Sequence, residues 1–258
     1  LVGLNLPLWQ IGMNLGFNPN AIFGAPLVIS TTIVIMFILM GQVLLRAGGS
    51  EFFTDLAMAT MGRRRGGAAK ISVMASALFG TISGAAVSNV VVTGVVTIPL
   101  MRESGYKATH AGAIEAISST GGQMMPPIMG AAAFLMAETL EIMYAEIVLA
   151  ALVPSILYYF AAYVQVDLIA ARDNISAVNK EIPKISRVLK DGWYFIPPFI
   201  ILIYMLFWKN QPAAVAAVWA AAILIILGAI FSYKGRRIKL NDLFEIIAET
   251  GLVTINLI

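Results

Sequence analysis

The chain has 258 residues, 59% of them hydrophobic and 12% charged, against about 25% charged in ordinary soluble domains; this excludes a soluble globular domain and points to an all-α integral membrane protein. There is no cysteine, which excludes a disulfide framework, a thiolate metal site and a catalytic thiol. The net charge is only +3, and its basic residues sit in short loops, the pattern of membrane orientation rather than of nucleic-acid binding.

Residues 1–21 are uncharged and rich in asparagine (Asn5, Asn14, Asn18, Asn20) and read as an interfacial segment. Residues 22–45 form the first clear span, closed by Arg46. Residues 50–61 carry a helix-start pattern, with Ser50 as N-cap and Glu51 in the first turn. Phe52, Phe53 and Leu56 lie near one face, as in a short helix lying in the interface.

An apolar run over 71–101 follows, broken at Ser83-Gly84. Arg63, Arg64, Arg65 and Lys70 precede it; Arg102 and Lys107 follow it. At ~1.5 Å per residue the arm 71–82 is only ~18 Å long, short of a ~30 Å hydrocarbon core. Lys and Arg beside membrane segments stay on the cytoplasmic face. Both facts predict a re-entrant helical hairpin that turns at mid-membrane; the alternative is one long helix kinked at glycine.

Residues 108–137 are the next span, interrupted at Gly121-Gly122-Gln123-Met124-Met125-Pro126-Pro127, with Glu138, Glu141 and Glu146 around its far end. Residues 147–169 return to the polar segment 172–191, which carries Arg172, Lys180, Lys184, Arg187 and Lys190. Residues 193–208 cross again, with Pro197-Pro198 near the start, and 213–231 return to Lys234, Arg236, Arg237 and Lys239. Residues 241–249 form a short amphipathic piece with Leu243, Phe244, Ile246 and Ile247 apolar. With 22–45 running inward and 71–101 a hairpin, all of the 17 Lys and Arg residues except Lys209 fall on the cytoplasmic side or its boundary. A full crossing at 71–101 would move most later basic clusters outside, so the positive-inside rule favours the hairpin. The chain starts at Leu1 without a methionine and stops at Ile258 inside an apolar run, and is expected to be a fragment of a longer protein.

The two breaks carry the chemistry. At the hairpin tip the first arm should end near Ile82, leaving carbonyls with no intrahelical partner and the negative end of the helix dipole; these suit a small cation such as Na⁺. The second arm should begin near Ala85, with free N–H groups that suit a carboxylate. Ser83, Ser88 and Asn89 add side-chain polar atoms, and Gly84 permits the turn. Taken singly, the serines and the Gly80/Gly84 spacing also read as close helix packing. In the second element Gly121-Gly122 disfavour continuous helix, Pro126 pushes Met125 toward extended geometry, and Pro127 suits the first turn of a new helix, with N–H groups free around Ile128 to Gly130. A filled proline kink is the alternative. Interrupted helices that meet at the midplane belong to secondary transporters.

Glu115 lies about two turns before the second break. It reads as structural first, pairing with a basic group near the inner face, and as a proton relay second. Asp167, near a helix end, reads as solvated, and the lone His110 as structural, with no second ligand at metal spacing. A rhomboid-type nucleophile motif is absent, since Thr81 stands where its first glycine should be, and no P-loop is present; an enzyme is not expected.

The chain resembles the large membrane subunit of tripartite ATP-independent periplasmic (TRAP) transporters, most closely the fused small-plus-large permeases. The resemblance rests on Gly62–Lys70, Gly80-Thr81-Ile82-Ser83-Gly84, Thr97–Met101, Gly105-Tyr106, Ala111–Ala116, Ser119–Pro127 and Met129–Met136. It runs from about residue 22 to the end and is densest over 41–137. The chain would then be the first inverted repeat of the permease and the start of the second, a transporter half lacking the second hairpin. The resemblance implies an elevator-type, sodium-driven carrier for a small carboxylate in the bacterial inner membrane. A periplasmic binding protein, of the TAXI class for fused permeases of this kind, would deliver the substrate. No cofactor is expected beyond Na⁺ as coupling ion. Sodium is expected between the tip and the unwound helix, largely on backbone oxygens, at Ser83, Gly84, Thr120, Gly121, Gly122, Met125 and Pro126. Substrate is expected near Ser88, Asn89, Gln123 and Pro127. The tip departs from the common Ser-Gly-Ser in reading Ser83-Gly84-Ala85, which puts a side-chain role there in doubt and leaves a carbonyl role. A sodium/dicarboxylate symporter of related fold, working without a binding protein, is the runner-up.

Overall fold

The structure, a computed structural model, describes residues 7–17, 24–179 and 181–255. Asn5, Asn18, Asn20, Lys180 and the terminal 256–258 lie outside the described residues. Among the described residues the regular structure is helical throughout. Helix α1 (Leu8–Phe17) lies within the segment read as interfacial. Helices α2 (Ala25–Ile29) and α3 (Ile35–Arg46) join through one π turn at Ser30–Val34. There Thr31 and Thr32 turn their hydroxyls back to the carbonyls of Leu27 and Val28, a local competition that loosens helices. Leu27–Arg46 is long and apolar enough to cross a membrane, as are α9 (Tyr144–Arg172) and α12 (Ala213–Ile230).

Helix α4 spans Gly49–Met61 and corrects the sequence reading of its start. Gly48, at φ +93°, holds the N-cap position, and Ser50 spends its hydroxyl on Glu51 instead. Phe52 and Phe53 are buried. Phe52 stacks on Phe195 at 5.0 Å and meets Tyr233 edge-on at 5.7 Å, so α4 is held by aromatic rings from the connections around the later helices.

Helices α5 (Gly67–Ser83) and α6 (Ala86–Glu103) form an antiparallel hairpin. Its two ends are neighbours: the Tyr106 hydroxyl, just after α6, donates to the carbonyl of Gly66, just before α5, at 3.4 Å. The arms extend further than the 71–82 estimate, to about 25–27 Å at the helical rise, still short of a full hydrocarbon core. Helix α7 (Ala108–Thr120) follows, then a 3₁₀ turn at Gly121–Met124, then irregular chain to α8 (Ala131–Leu140). The second half-helix therefore starts at Ala131 with Gly130 as its N-cap, four residues later than Pro127.

Helix α9 exposes a run of large apolar side chains, among them Leu149, Val153, Ile156, Leu157, Phe160 and Leu168, which is the face a lipid solvent would cover. After it come α10 (Ile185–Asp191) and α11 (Ile196–Phe207), with the chain bent by 62° at Gly192. Helix α12, packed between α3 and α11, buries the alanines Ala213, Ala216, Ala217, Ala220 and Ala221. Small residues let the backbones approach closely where lipid offers no hydrophobic drive. Helix α13 (Leu240–Ile255) is longer than the 241–249 reading, and Arg46 pins it to α3 through Glu245 at 2.6 Å and Glu249 at 2.8 Å. Ile246 faces that contact, whereas Phe244 and Ile247 are exposed.

Asp167 overturns its reading as a merely solvated carboxylate. It pairs with Arg65 and, at 2.5 Å, with Lys70, and the Lys70 ammonium also sits 4.9 Å over the Tyr163 ring. Lys70 is buried, so the pair ties α9 to the foot of the hairpin. Just outside α9, the Asp173 carboxyl is held below the usual carboxylate range by its hydrogen bond from Arg172, while burial pushes the Tyr106 phenol up to about 12.

Two outcomes are expected. Single cysteines at Arg65 and Arg102 in the full-length protein should both react with an impermeant thiol reagent from the cytoplasmic face; labelling from opposite faces would rule out re-entry. Asp167→Ala strands a buried ammonium and should destabilise the fold by about 3 kcal/mol, read as a lower thermal midpoint in detergent, with Asp167→Glu recovering most of it.

Candidate functional site

The hairpin tip is built on one left-handed residue. Helix α5 ends at Ser83, Gly84 takes φ +56° and returns its N–H to the Gly80 carbonyl at 3.4 Å, and Ala85 is extended before α6 begins at Ala86. Gly84 has no room for a side chain: a Cβ there would lie 1.9 Å from the Met129 carbonyl oxygen. The tip of the hairpin thus rests directly on the second break.

The second break is held by side chains. A helix that stops inside a membrane leaves carbonyls that must find donors. Tyr158 donates to Ile117 O at 2.7 Å and Tyr159 to Ser118 O at 3.0 Å. Asn89 approaches Ser119 O at 3.4 Å. Beyond the 3₁₀ turn, the Tyr144 hydroxyl lies against the carbonyls of Pro127, at 3.0 Å, and Ile128, and its one hydrogen serves one or the other. The Gly130 N–H closes the loop onto Gln123 O at 2.8 Å. All three tyrosines sit on α9, and none was singled out from the sequence. Their signal was available: phenols inside an apolar span usually have a polar partner when buried.

The two breaks meet backbone to backbone. A Cβ on Gly80 would lie 2.4 Å from Gly122 Cα, and one on Gly122 would lie 2.7 Å from Asn89 Nδ2. Asn89 is fully buried and donates to Ser76 O at 2.9 Å. Its amide therefore bridges the hairpin arms and α7 rather than facing open space.

The sequence-predicted residues divide into three groups. Ser83, Gly84 and Ser88 line one cleft of about 50 Å³ with Ile128 and Met129 of the second break and with Gln42 of α3. The Ser83 Oγ is buried there with no hydrogen-bond partner among the described residues. Gly121 and Gly122 are buried between helices, Gly121 against the Tyr158 ring. Thr120 and Gln123 are exposed on the outer side, with the Thr120 hydroxyl turned back to Ala116 O at 2.7 Å; Met125, Pro126 and Pro127 are half-buried. The cleft walls include Gly84 at the C-terminal end of α5, Ala85 and Ser88 at the N-terminal end of α6, and Ala131 at that of α8. Partial charges of both signs converge on it, and among the described residues no charged side chain lines it.

Glu115 is fully buried one layer below, toward the foot of the hairpin. It pairs with no basic group among the described residues. Hydroxyls surround it instead: Ser72 at 2.7 Å, Thr93 at 2.5 Å, Ser119 at 3.1 Å and Thr97.

Apolar helices long enough to span a bilayer, wrapped around two interrupted helices whose breaks touch, define a multi-pass helical transporter. Residues 18–258 match the family described as "Tripartite ATP-independent periplasmic transporter, DctM component", and the chain belongs to that family, one of transporters rather than of enzymes. It is 28% identical over 226 residues to the C4-dicarboxylate TRAP transporter large permease protein DctM of Pseudomonas aeruginosa, covering 86% of this chain and 51% of that protein. It is 27% identical over 252 residues to the ectoine/5-hydroxyectoine large permease UehC of Ruegeria pomeroyi, with 93% and 53% covered. It is 26% identical over 228 residues to the sialic acid permease SiaT of Haemophilus influenzae, with 86% and 36% covered. The chain spans about half the length, or less, of these relatives.

Gly122→Ala and Gly84→Ala should each destabilise the protein, the first by about 2 kcal/mol from overpacking and the second by more, because a backbone oxygen cannot yield. Thermal midpoints of the two variants against Gly16→Ala, where a Cβ meets nothing, measure it; equal midpoints for all three would contradict the contact.

Proposed function

We propose that this chain is the first part of a bacterial inner-membrane permease that imports a small carboxylate, driven by sodium and supplied by a periplasmic binding protein. Small-subunit helices, fused in the full-length chain, would complete it, and the hairpin and discontinuous helix would move together as the carrier of an elevator. The observation that carries this reading is the cleft where the two breaks meet, with the buried, unpartnered Ser83 Oγ in its wall. Oxygen donors at the C-terminal end of α5 suit a small hard cation. The N-terminal ends of α6 and α8 suit a carboxylate. The relatives support the class of cargo, being named for C4-dicarboxylates, ectoine and sialic acid. A TAXI-type binding protein remains the expectation for a fused permease.

In this reading Ser83 and Gly84, with Thr120, Gly121, Gly122, Met125 and Pro126, hold sodium, and Ser88 with Gln123 and Pro127 faces substrate. Asn89 acts at one remove, by holding the Ser119 carbonyl and pressing on Gly122. Fast exchange between faces requires the moving body to stay packed, and the Gly80–Gly122 contact supplies that packing.

Full-length permease in proteoliposomes, given a sodium gradient, its binding protein and labelled carboxylates, tests the proposal. Ser83→Ala should lower initial uptake at limiting sodium by about tenfold, the loss of one ligating hydrogen-bond partner. Unchanged uptake rejects the site, and uptake without the binding protein favours the simpler sodium/dicarboxylate symporter.

A further inference from the structure

The Glu115 carboxyl has an unusual set of neighbours. It is fully buried, makes no ion pair among the described residues, and touches hydroxyl groups only. The slot exists because residue 94 is glycine: a Cβ there would lie 3.3 Å from Glu115 Cγ. An isolated carboxylate in an apolar interior is costly unless donors solvate it, and a carboxylic acid there needs an acceptor.

The cage supplies both. Thr93 Oγ1 lies 2.5 Å from Glu115 Oε1 and also 2.8 Å from the Asn89 carbonyl one turn back. Thr97 Oγ1 contacts Glu115 Oε2 and also lies 3.0 Å from the Thr93 carbonyl. A hydroxyl has one hydrogen, so each threonine serves the carboxyl or the helix carbonyl, never both. With Glu115 ionised, Ser72, Thr93, Thr97 and Ser119 all donate to it. With Glu115 protonated, its own O–H donates to a threonine oxygen, and that threonine turns its hydrogen to a helix carbonyl already at bonding distance. The heavy atoms stay where they are. Oxygen spacings of 2.5–3.1 Å are direct hydrogen-bond distances.

We propose that Glu115 is a reversible proton-binding site inside the hairpin. The carboxylate takes one proton from a hydronium ion of the aqueous phase, leaving water, and becomes a neutral acid; release is the reverse. The charged and titratable groups on the elements packed around it are Lys70 on α5, Arg102 and Glu103 on α6, His110 on α7, and Tyr144, Glu146, Tyr158, Tyr159, Tyr163, Asp167 and Arg172 on α9. Lys70 is engaged by Asp167, Tyr158 and Tyr159 by carbonyls of α7, and Tyr144 by the second break; the carboxyl oxygens of Glu115 meet Ser72, Thr93, Thr97 and Ser119. Thr93 bonds the Asn89 backbone carbonyl or Glu115 according to the proton state. This inference rests on the cage and not on the transport reading.

Infrared pH-difference spectra of the full-length permease in nanodiscs test it without sodium, substrate or binding protein. Wild type should show a protonated-carboxyl band that titrates, and Glu115→Gln should delete it; superimposable spectra for the two overturn the proposal. If Glu115→Gln does not elute as a folded protein, Thr93→Val and Thr97→Val leave the carboxyl in place, and each should shift the midpoint of that band. Unshifted midpoints in both overturn it as well. Failure of the uptake assay leaves these spectra unaffected, so the two proposals stand or fall separately.

Discussion

Everything in this fold turns on two glycines in van der Waals contact, Gly80 on the first hairpin arm and Gly122 just beyond α7. A chain that interrupts a helix inside a membrane exposes peptide groups that lipid cannot satisfy. Placing two interruptions side by side lets one break shield the other, provided nothing stands between their backbones. A single methyl group at either position would hold the breaks apart. The same logic seats Gly84 on the Met129 carbonyl, so the tip is fixed at two points about one helical turn apart along α5. The glycines thus set the geometry, and the hydroxyl and amide groups around them finish it.

Polar groups do the packing that hydrophobic contacts would do in water. The hairpin core is lined by Ser72, Ser76, Asn89, Thr93, Thr97, Glu115 and Ser119, all buried and all in one hydrogen-bonded network. Lipid tails are as apolar as leucine, so burying leucine between these arms would gain little over leaving it in the bilayer. Short polar side chains bring the helices close and fix their register, because each hydroxyl has few places to point. A network of this kind is rigid only while every member is satisfied, which is why the Gly94 slot that admits Glu115 matters to both arms at once.

Local chemistry made the breaks legible in the sequence. Ser83-Gly84 and Gly121 to Pro127 disrupt helix by their own backbone preferences, and the structure breaks at both. The restart of the helix was misjudged, at Pro127 instead of Ala131, because prolines say where a helix cannot continue and not where the next begins; Met129 at φ +58° was invisible to that argument. The Ser50 cap failed for a similar reason, since Gly48 in a left-handed conformation served the start and left the serine free to bond Glu51. Asp167 was beyond reach, because its partners Arg65 and Lys70 lie about a hundred residues earlier in the chain. The same distance hid the role of Asn89, whose position beside the tip suggested substrate while its side chain closes a gap between three elements.

Helix α9 is the element whose importance was least visible, and its chemistry explains the stability of the breaks. Its exposed stripe reads as an ordinary lipid-facing span, yet the buried face carries Tyr144 and Tyr159, with Tyr158 and Asp167 half-buried at its flanks. Three phenols each bond carbonyls at or beside the second break, and the carboxylate secures the foot of the hairpin. A phenol is suited to this work. Its ring remains compatible with an apolar surrounding while the hydroxyl finds its acceptor. One continuous helix thus holds both the irregular middle of the second break and the base of the first, so that displacing α9 would release carbonyls and a buried ammonium together.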